Sequence, residues 1–475
     1  MILGRASVKP NKVFQTLKIS TKSSNPSHQI DRITKLINDH PYPDPDFHKT
    51  LHTQIPPSLL CPQLVSSVLA RLFSGHSNSV KAVDFFKFCS ESLPPTPNSL
   101  EKALHILARN RDFDGAYRLM KAHPMLITHK AMGIVLSKLA KFRSFEDTLE
   151  GFERLEREVL VGRAFGVGEF NVLIRVLCLE RQMKDARVVF GKMLSRFSPN
   201  LQTFNILLLG FKESGDVTAV ELFYNEMVRR GFKPNVVSYS IRIDAYCKKG
   251  CVGDGLRLVD EMERLNLMPT LEILTTLIHG AGIARNVSRA RELFDEIAKR
   301  GLAPDIGAYN ALIGCYFRCR DVESGLSLMG EMEEKGVGLD HVSYHTLFLG
   351  LKRSHGMEGV YMVYQRMVER KFVPKMYTVV MLMKFFCENR RPDLGLELWR
   401  FLVDRGCCPH EHAMDLLVTG LCCVGRMEEA YDCLIQMAER GRPPGKRALQ
   451  VLVRFLVKAG KTEKLHKLSK MTNMS

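Results

Sequence analysis

The chain has 475 residues, 45% of them hydrophobic, with a formal net charge of +17 and 13 scattered cysteines. No apolar run reaches the roughly 18–20 residues of a membrane span, and an odd number of cysteines without framework spacing indicates reduced thiols. The length allows two or three ordinary domains or one long repeat array, and the charge admits a polyanionic partner without establishing one.

The amino-terminal segment, residues 1–30, contains five Lys or Arg and no Asp or Glu. A basic, serine-bearing and acid-free composition is typical of an organellar transit peptide. We expect a mitochondrial destination, with the chloroplast as the alternative, and a disordered basic tail is the other interpretation of this segment. Residues 31–62, which become rich in proline, are expected to form a linker.

From residue 63 onward the chain is periodic. Prolines recur at intervals of 35 residues, and a leucine takes one of these positions. We call this series the proline ladder: Pro199, Pro234, Pro269, Pro304, Leu339, Pro374, Pro409 and Pro444. Registered on this ladder, residues 167–445 contain eight regular repeats that begin at Val167, Leu201, Val236, Leu271, Ile306, His341, Met376 and Glu411. Residues 63–166 contain degenerate units that begin near Gln63, Pro97 and His129. Residues 446–475 hold a partial repeat with basic capping helices.

Each repeat predicts two helices. The first dozen residues have the apolar spacing of an amphipathic helix, as in 204–211. After a short break, a small residue, a bulky residue and a methionine follow at the i, i+4, i+7 spacing of a second helix. A glycine before the ladder proline ends that helix. Neither helix can bury its apolar face alone, so neighbouring repeats must stack, and we predict an all-α solenoid.

The motifs within the repeat resemble the pentatricopeptide repeat. They are Tyr-Asn or Phe-Asn near the start and Gly-x-x-Pro-Asp/Asn at the end, and the fullest matches are 231–239 and 301–310. The uniform repeat length resembles the P subclass of plant organelles, whereas the tetratricopeptide family has a period of about 34 residues. The resemblance implies a right-handed α-solenoid superhelix of about 11–12 helix–turn–helix repeats.

The resemblance also implies a binding site. Members of this family bind single-stranded RNA along the concave face, one base per repeat, and the fifth and last residues select the base. The implied base-selecting pairs are Asn171/Asn200, Asn205/Asn235, Ser240/Thr270, Thr275/Asp305 and Asn310/Asp340. They imply the footprint pyrimidine-pyrimidine-N-G-U. Three later pairs match no base: His345/Lys375, Val380/His410 and Asp415/Gly445. The alternative role for any one of these side chains is a helix cap.

Two further contacts follow from the same resemblance. An apolar second residue would stack on the base, and Val237 and Val342 fit that role. A basic residue late in the first helix would face the phosphates, and the residues that match are Lys248, Arg318 and Arg353. Each phosphate contact is expected to add to the salt dependence of binding.

No catalytic residue, metal site or cofactor is predicted, and no small-molecule substrate or membrane partner is expected. The chain lacks the His-x-Glu with a downstream Cys-x-x-Cys of a zinc deaminase, and the cluster at 407–412 is too compressed for a tetrahedral site. We expect a non-enzymatic, sequence-selective clamp on single-stranded organellar RNA that acts in transcript stabilisation, splicing or translation. Other organellar RNA-processing or ribosomal proteins are possible further partners. The alternative function is a protein-binding scaffold, such as a component associated with the organellar ribosome.

Overall fold

The computed structural model describes residues 26–41, 46–74, 78–354, 356–407, 411–439 and 445–472. Most of the predicted transit peptide lies outside these ranges. In the described residues the regular structure is helical, without a strand, and no helix there is long and apolar enough to cross a bilayer. The prediction of an all-α solenoid is confirmed.

The helices follow one another with short turns between them. In chain order they are α1 (Pro26–Asp39), α2 (Phe47–Gln54), α3 (Pro62–Ser74), α4 (Ser79–Ser92), α5 (Pro97–Arg109), α6 (Phe113–Ala122), α7 (His129–Phe142), α8 (Phe145–Arg154), α9 (Val167–Leu179), α10 (Met183–Met193), α11 (Leu201–Ser214), α12 (Val217–Arg229), α13 (Val236–Lys248), α14 (Val252–Arg264), α15 (Leu271–Ile283), α16 (Val287–Lys299), α17 (Ile306–Arg318), α18 (Val322–Glu334), α19 (His341–Ser354), α20 (Gly356–Glu369), α21 (Met376–Glu388), α22 (Pro392–Asp404), α23 (Glu411–Cys423), α24 (Met427–Glu439), α25 (Lys446–Lys458) and α26 (Thr462–Thr472).

The odd-numbered helices from α9 to α25 begin at the residues that the proline ladder gives. Local chemistry explains this agreement, because the last residue of a repeat caps the next helix. Asn200 Oδ1 accepts from the Thr203 N–H at 2.9 Å, and Asp305 Oδ1 accepts from the Ala308 N–H at 2.8 Å. The proline just before the cap cannot continue the preceding helix. The helix boundaries are therefore fixed by a few residues at each junction.

The turn between repeats requires a left-handed residue. Gly231 and Gly301 take φ values of +80° and +71°, a region in which a side chain is disfavoured. Asn266 and Lys371 occupy the same place in their repeats, at φ +58° and +57°. The glycine motif of the sequence thus marks a conformation that two repeats adopt without glycine.

The helices form two compact units, residues 1–241 and 242–475. In each unit, a first helix packs against its own second helix and against the first helix of the next repeat, as α9 does with α10 and α11, and α15 with α16 and α17. First helices therefore make one layer of each unit, and second helices make the other.

A glycine at the tenth position of several first helices lets neighbouring first helices approach closely. A Cβ added to Gly210 would lie 2.5 Å from Cys178 Sγ, and one added to Gly420 would lie 2.5 Å from Cys387 Sγ. The cysteine is the twelfth residue of the preceding repeat. Burial raises the pKa of both thiols to about 12, so they stay protonated at neutral pH. These cysteines act as small apolar groups in a packing contact between repeats.

Residues 31–62 differ from the prediction of a linker, because α1 and α2 lie there and pack against α3 and α4. Ile33, Ile37 and Leu51 are fully buried, which gives both helices an apolar contact. Nε2 of His48 and of His52 lie 3.2 and 3.1 Å from the carboxylate oxygens of Glu91 on α4. The 35-residue register could not find these helices, because they lie outside it and are separated by proline-rich turns.

Candidate nucleic-acid interface

The second, fifth, ninth and thirteenth residues of a first helix are three or four positions apart, so they lie on one face of that helix. In α11 they are Gln202, Asn205, Leu209 and Glu213. None of these four side chains is buried, although α11 packs on both its neighbours. We call the surface formed by these positions in successive repeats the first-helix face.

The fold brings the fifth and last residues of a repeat together on this face. Asn171 Nδ2 lies 3.4 Å from Asn200 Oδ1, and Asn310 Nδ2 lies 3.3 Å from Asp340 Oδ1. The same juxtaposition occurs upstream, where the Thr128 hydroxyl donates to Glu101 Oε1 at 2.8 Å. The convergence of these two positions is therefore a property of the repeat in both units and in a degenerate repeat.

A hydroxyl at the third position of the following repeat joins each of the two Asn/Asn pairs. The Ser238 hydroxyl lies 2.8 Å from Asn205 Oδ1 and 3.1 Å from Asn235 Oδ1. Thr203 makes the same contacts with Asn171 and Asn200, at 2.6 and 3.1 Å. Both hydroxyl-bearing residues are fully buried. Because one hydroxyl proton goes to the nearer oxygen, the Oδ1 of the fifth residue is fixed toward the hydroxyl. The Nδ2 of Asn205 is then available as a donor, whereas the Nδ2 of Asn171 already donates to Asn200 and Gln202 at 3.4 and 3.5 Å.

The Thr275/Asp305 pair lacks this support. The third residue of its following repeat is Ala308, and Asp305 uses one carboxylate oxygen to cap that helix. Thr275 Oγ1 is buried and has no hydrogen-bond partner among the described residues. A buried hydroxyl without a partner is costly, so this atom is a candidate to bond a ligand. Ser240 and Thr270 belong to different units, and their pairing stays a prediction.

Hydrogen bonds favour the ionised form of Asp340. Burial opposes its ionisation, but hydrogen bonds from the Ser343 backbone and hydroxyl and from Asn310 outweigh burial and lower its pKa. The carboxylate thus holds the Asn310 amide N–H, and Asn310 Oδ1 is left without a partner in the described part of the chain. Asn310 offers an acceptor where Asn205 offers a donor.

Two grooves run along the first-helix face of the amino-terminal unit. One, of about 920 Å³, is lined by Asn205, Asn235 and Val237 together with Arg175 and Arg181. The other, of about 660 Å³, is lined by Asn171 and Gln202. Asn171 is only 4% exposed, so little of its amide is accessible from the groove. Three of the predicted base-selecting residues and one predicted stacking residue therefore line open grooves.

The second residues of the repeats project from the same face. Val237 and Val342 are 53% and 50% exposed, which leaves their side chains available for stacking. Tyr377 is also a second residue, is 46% exposed, and contacts the His345 ring at 4.6 Å in a perpendicular arrangement. Sequence reasoning missed Tyr377, although its place three residues after the ladder proline Pro374 was a sufficient signal.

The three predicted phosphate-binding residues are all exposed. Lys248 Nζ lies 3.5 Å from Asp244 Oδ2, and Arg318 Nη2 lies 3.3 Å from His279 Nε2. Asp244 and His279 are ninth residues, so both basic groups lie on the first-helix face. Arg353 makes no ion pair with a described residue.

The repeats without a base assignment use their fifth residues differently. Asp415 Oδ1 accepts from the Ala448 N–H at 2.9 Å and so caps α25, because the last residue of its repeat is Gly445. His345 Nδ1 lies 3.1 Å from the Thr378 hydroxyl, the third-position group of the next repeat. His410, the partner of Val380, lies outside the described residues.

Comparison with known proteins identifies the repeats. The "PPR repeat family" model matches residues 199–248 and 304–353, the "Pentatricopeptide repeat domain" model matches 257–318, and the "PPR repeat" model matches 170–196, 237–267 and 414–442. A pentatricopeptide repeat-containing protein of Arabidopsis thaliana is 50% identical over 448 residues, which is 93% of this chain and 90% of that protein. A second Arabidopsis thaliana protein of this type is 37% identical over 37% of this chain and 36% of its own length.

Among solved structures, the crystal structure of the pentatricopeptide repeat protein PPR10 in complex with an 18-nt psaJ RNA element matches with a TM-score of 0.50. The two proteins are 17% identical, and the match covers 94% of this chain and 66% of that one. A likeness at this identity establishes a shared fold.

Proposed function

Because the chain belongs to the pentatricopeptide repeat family, we propose that it binds single-stranded RNA along the first-helix face, one base per repeat, as a non-catalytic clamp. The observation that carries this proposal is the convergence of fifth and last residues. Asn171 with Asn200 and Asn310 with Asp340 form pairs of amide and carboxylate groups within 3.4 Å of each other. Two such groups side by side suit the hydrogen-bonding edge of a flat base.

The base preferences proposed for these pairs give the footprint pyrimidine-pyrimidine-N-G-U across repeats 167–340. Val237 and Val342 would stack on bases, and Tyr377 extends that set toward the carboxyl terminus. The PPR10 structure, which contains an RNA element, supports this mode of binding by analogy of fold.

We place the protein in an organelle, the mitochondrion before the chloroplast, on the basic and acid-free composition of residues 1–30. Some related Arabidopsis thaliana proteins carry the word mitochondrial in their names, at identities of 24–28%. A clamp of this kind would act after transcription, in stabilisation, splicing or translation of one organellar transcript, alone or with RNA-processing or ribosomal proteins.

The test is selection from a pool of randomised single-stranded RNA by the purified full chain at about 0.15 M salt. Enrichment of the footprint, with weaker binding to duplex RNA, is the expected result. Failure to retain RNA at any salt concentration would refute the clamp and favour the protein-binding scaffold. Turnover of the RNA by the purified chain would refute the non-catalytic role.

A further inference from the structure

Five arginines adopt a backbone conformation that suits glycine. They are the fifteenth residues of their repeats, in the turn between the first and second helices, and their φ values are +56° to +63°: Arg111, Arg181, Arg285, Arg320 and Arg390. Glycine fills the same turn in four other repeats, at Gly215, Gly250, Gly425 and Gly460. Because an L side chain in this region costs folding free energy that glycine avoids, the repeated arginine calls for another explanation.

Interactions within the protein do not supply one. All five side chains are exposed, and four of them, Arg181, Arg285, Arg320 and Arg390, make no ion pair with any described residue. Arg111 lies over the Phe142 ring at 4.4 Å. By contrast, Arg426, the sixteenth residue of its repeat, binds Glu429 with two hydrogen bonds of 2.7 and 2.6 Å. Four of these five arginines in the left-handed conformation therefore carry charges that no acidic residue of the described protein compensates.

Attraction to the carbonyl end of the first helix is the structural alternative. This attraction applies to Arg181, Arg285 and Arg390, whose preceding helices have no basic residue in the last turn. It does not explain Arg320 and Arg111, because Arg318 and Arg109 already place a cation on the last turn of the helices that they follow. A second cation there adds strain and little further interaction with the same carbonyls.

The position of Arg181 connects this turn to the first-helix face. Arg181 lines the 920 Å³ groove that also contains Asn205, Asn235 and Val237. The fifteenth position thus reaches the rim of the surface on which we place the RNA bases. Arg285, Arg320 and Arg390 hold the corresponding place in their own repeats.

The arginines also complement the thirteenth position, where a phosphate-binding cation was expected. Five of the eight regular repeats have no cation there, and three of these five are the repeats with Leu179, Ile283 and Glu388. Each of these three has an arginine two residues later, at Arg181, Arg285 and Arg390. The repeats with Glu213 and Cys423 have glycine at the fifteenth position and so carry neither cation.

We propose that the left-handed arginines are a second row of phosphate-binding residues that contact the phosphodiester backbone of single-stranded RNA at the rim of the first-helix face. The inference rests on the proposed function and adds to it a site that the fifth, last and thirteenth positions do not include. A guanidinium suits the role because it offers several N–H donors in a plane that matches phosphate oxygens.

The experiment compares the full chain with the double variant Arg285→Gly and Arg320→Gly. The probe is an unstructured oligouridine of about 30 nucleotides, titrated at several KCl concentrations. Removing one arginine–phosphate interaction should reduce the slope of log K against log salt by about 0.7, so the slope of the double variant should be smaller by about 1.4. Because glycine relieves the backbone strain, the midpoint of thermal unfolding of the double variant should rise, while its affinity for RNA should fall.

The matched control is Lys371→Gly, which removes a cation and the same left-handed strain at the turn between repeats. The control should also unfold at a higher temperature, with the salt slope of the unmodified chain. A double variant whose salt slope equals that of the unmodified chain would overturn the phosphate row and leave the RNA clamp intact. If the unmodified chain binds no oligouridine and no randomised RNA, the proposed function fails, and the phosphate row fails with it.

Discussion

The repeats that begin at Leu201 and Glu411 share one packing contact and differ on the first-helix face. Gly210 packs against Cys178, and Gly420 packs against Cys387. In both contacts, a Cβ added to the glycine would lie 2.5 Å from the cysteine Sγ. Yet Asn205 is oriented toward a groove by a buried hydroxyl, whereas Asp415 caps the next helix. The stacking of repeats and the recognition of a ligand thus depend on different residues, and the second can be lost without harm to the first.

The largest expected effect comes from disrupting the glycine–cysteine packing contact that the two repeats share. Gly210→Ala and Gly420→Ala would each overpack a contact between first helices, and we expect each to lower the free energy of unfolding by about 2 kcal/mol. Chemical denaturation of the two variants measures this. The paired changes Cys178→Ala and Cys387→Ala should restore part of the loss, because they remove the sulfur that an added Cβ would meet. If Gly420→Ala left the free energy of unfolding unchanged while Gly210→Ala lowered it, the two packing contacts would not be equivalent.

A second comparison separates recognition from capping. Asp415→Ala should cost about 1 kcal/mol of stability, because it removes the cap of α25, and should leave base preference unchanged. Asn310→Ala should have the opposite result: little change in stability and a loss of selectivity at one nucleotide worth about 1 kcal/mol, or roughly fivefold. Thermal unfolding and RNA competition assays on both variants test this. A change of base preference in the Asp415→Ala variant would show that this residue also contacts the ligand.

The smallest expected effect concerns the third-position hydroxyl. Ser238→Ala frees the Asn205 amide to rotate, so discrimination at its nucleotide should fall by a few-fold, on the order of 0.5–1 kcal/mol. Ser238→Thr should retain it. Ala308→Ser makes the reverse change, since it offers a partner to the Thr275 hydroxyl, and should sharpen discrimination at that nucleotide. Equal weakening at every nucleotide would assign Ser238 a structural role only.

Much of the fold could be predicted from the sequence because each boundary depends on a local signal. The ladder prolines and the capping Asn or Asp residues place the starts of helices such as α11 and α17 at the residues expected. The helices α1 and α2 could not be predicted in this way, since they precede the periodic region. Their stability comes from tertiary burial of Ile33, Ile37 and Leu51.

The site was only partly predictable for a different reason. The spacing identifies fifth and last residues, but not the hydrogen bonds they make. That Asp415 is a cap, or that Ser238 holds Asn205, depends on distances between adjacent repeats. The left-handed backbone of Arg285 and Arg320 was equally hidden, because an arginine in a polar turn is an ordinary sequence feature.

The most direct test of base recognition by the first-helix face is a change of specificity in a single repeat. Randomised single-stranded RNA should be selected in parallel by the unmodified chain and by the double variant Thr275→Asn with Asp305→Ser. We predict that the variant loses the preference for G at one nucleotide of the enriched footprint and keeps the preferences at the neighbouring nucleotides. An unchanged footprint, or the loss of preference at all nucleotides together, would contradict recognition of one base per repeat by these residues.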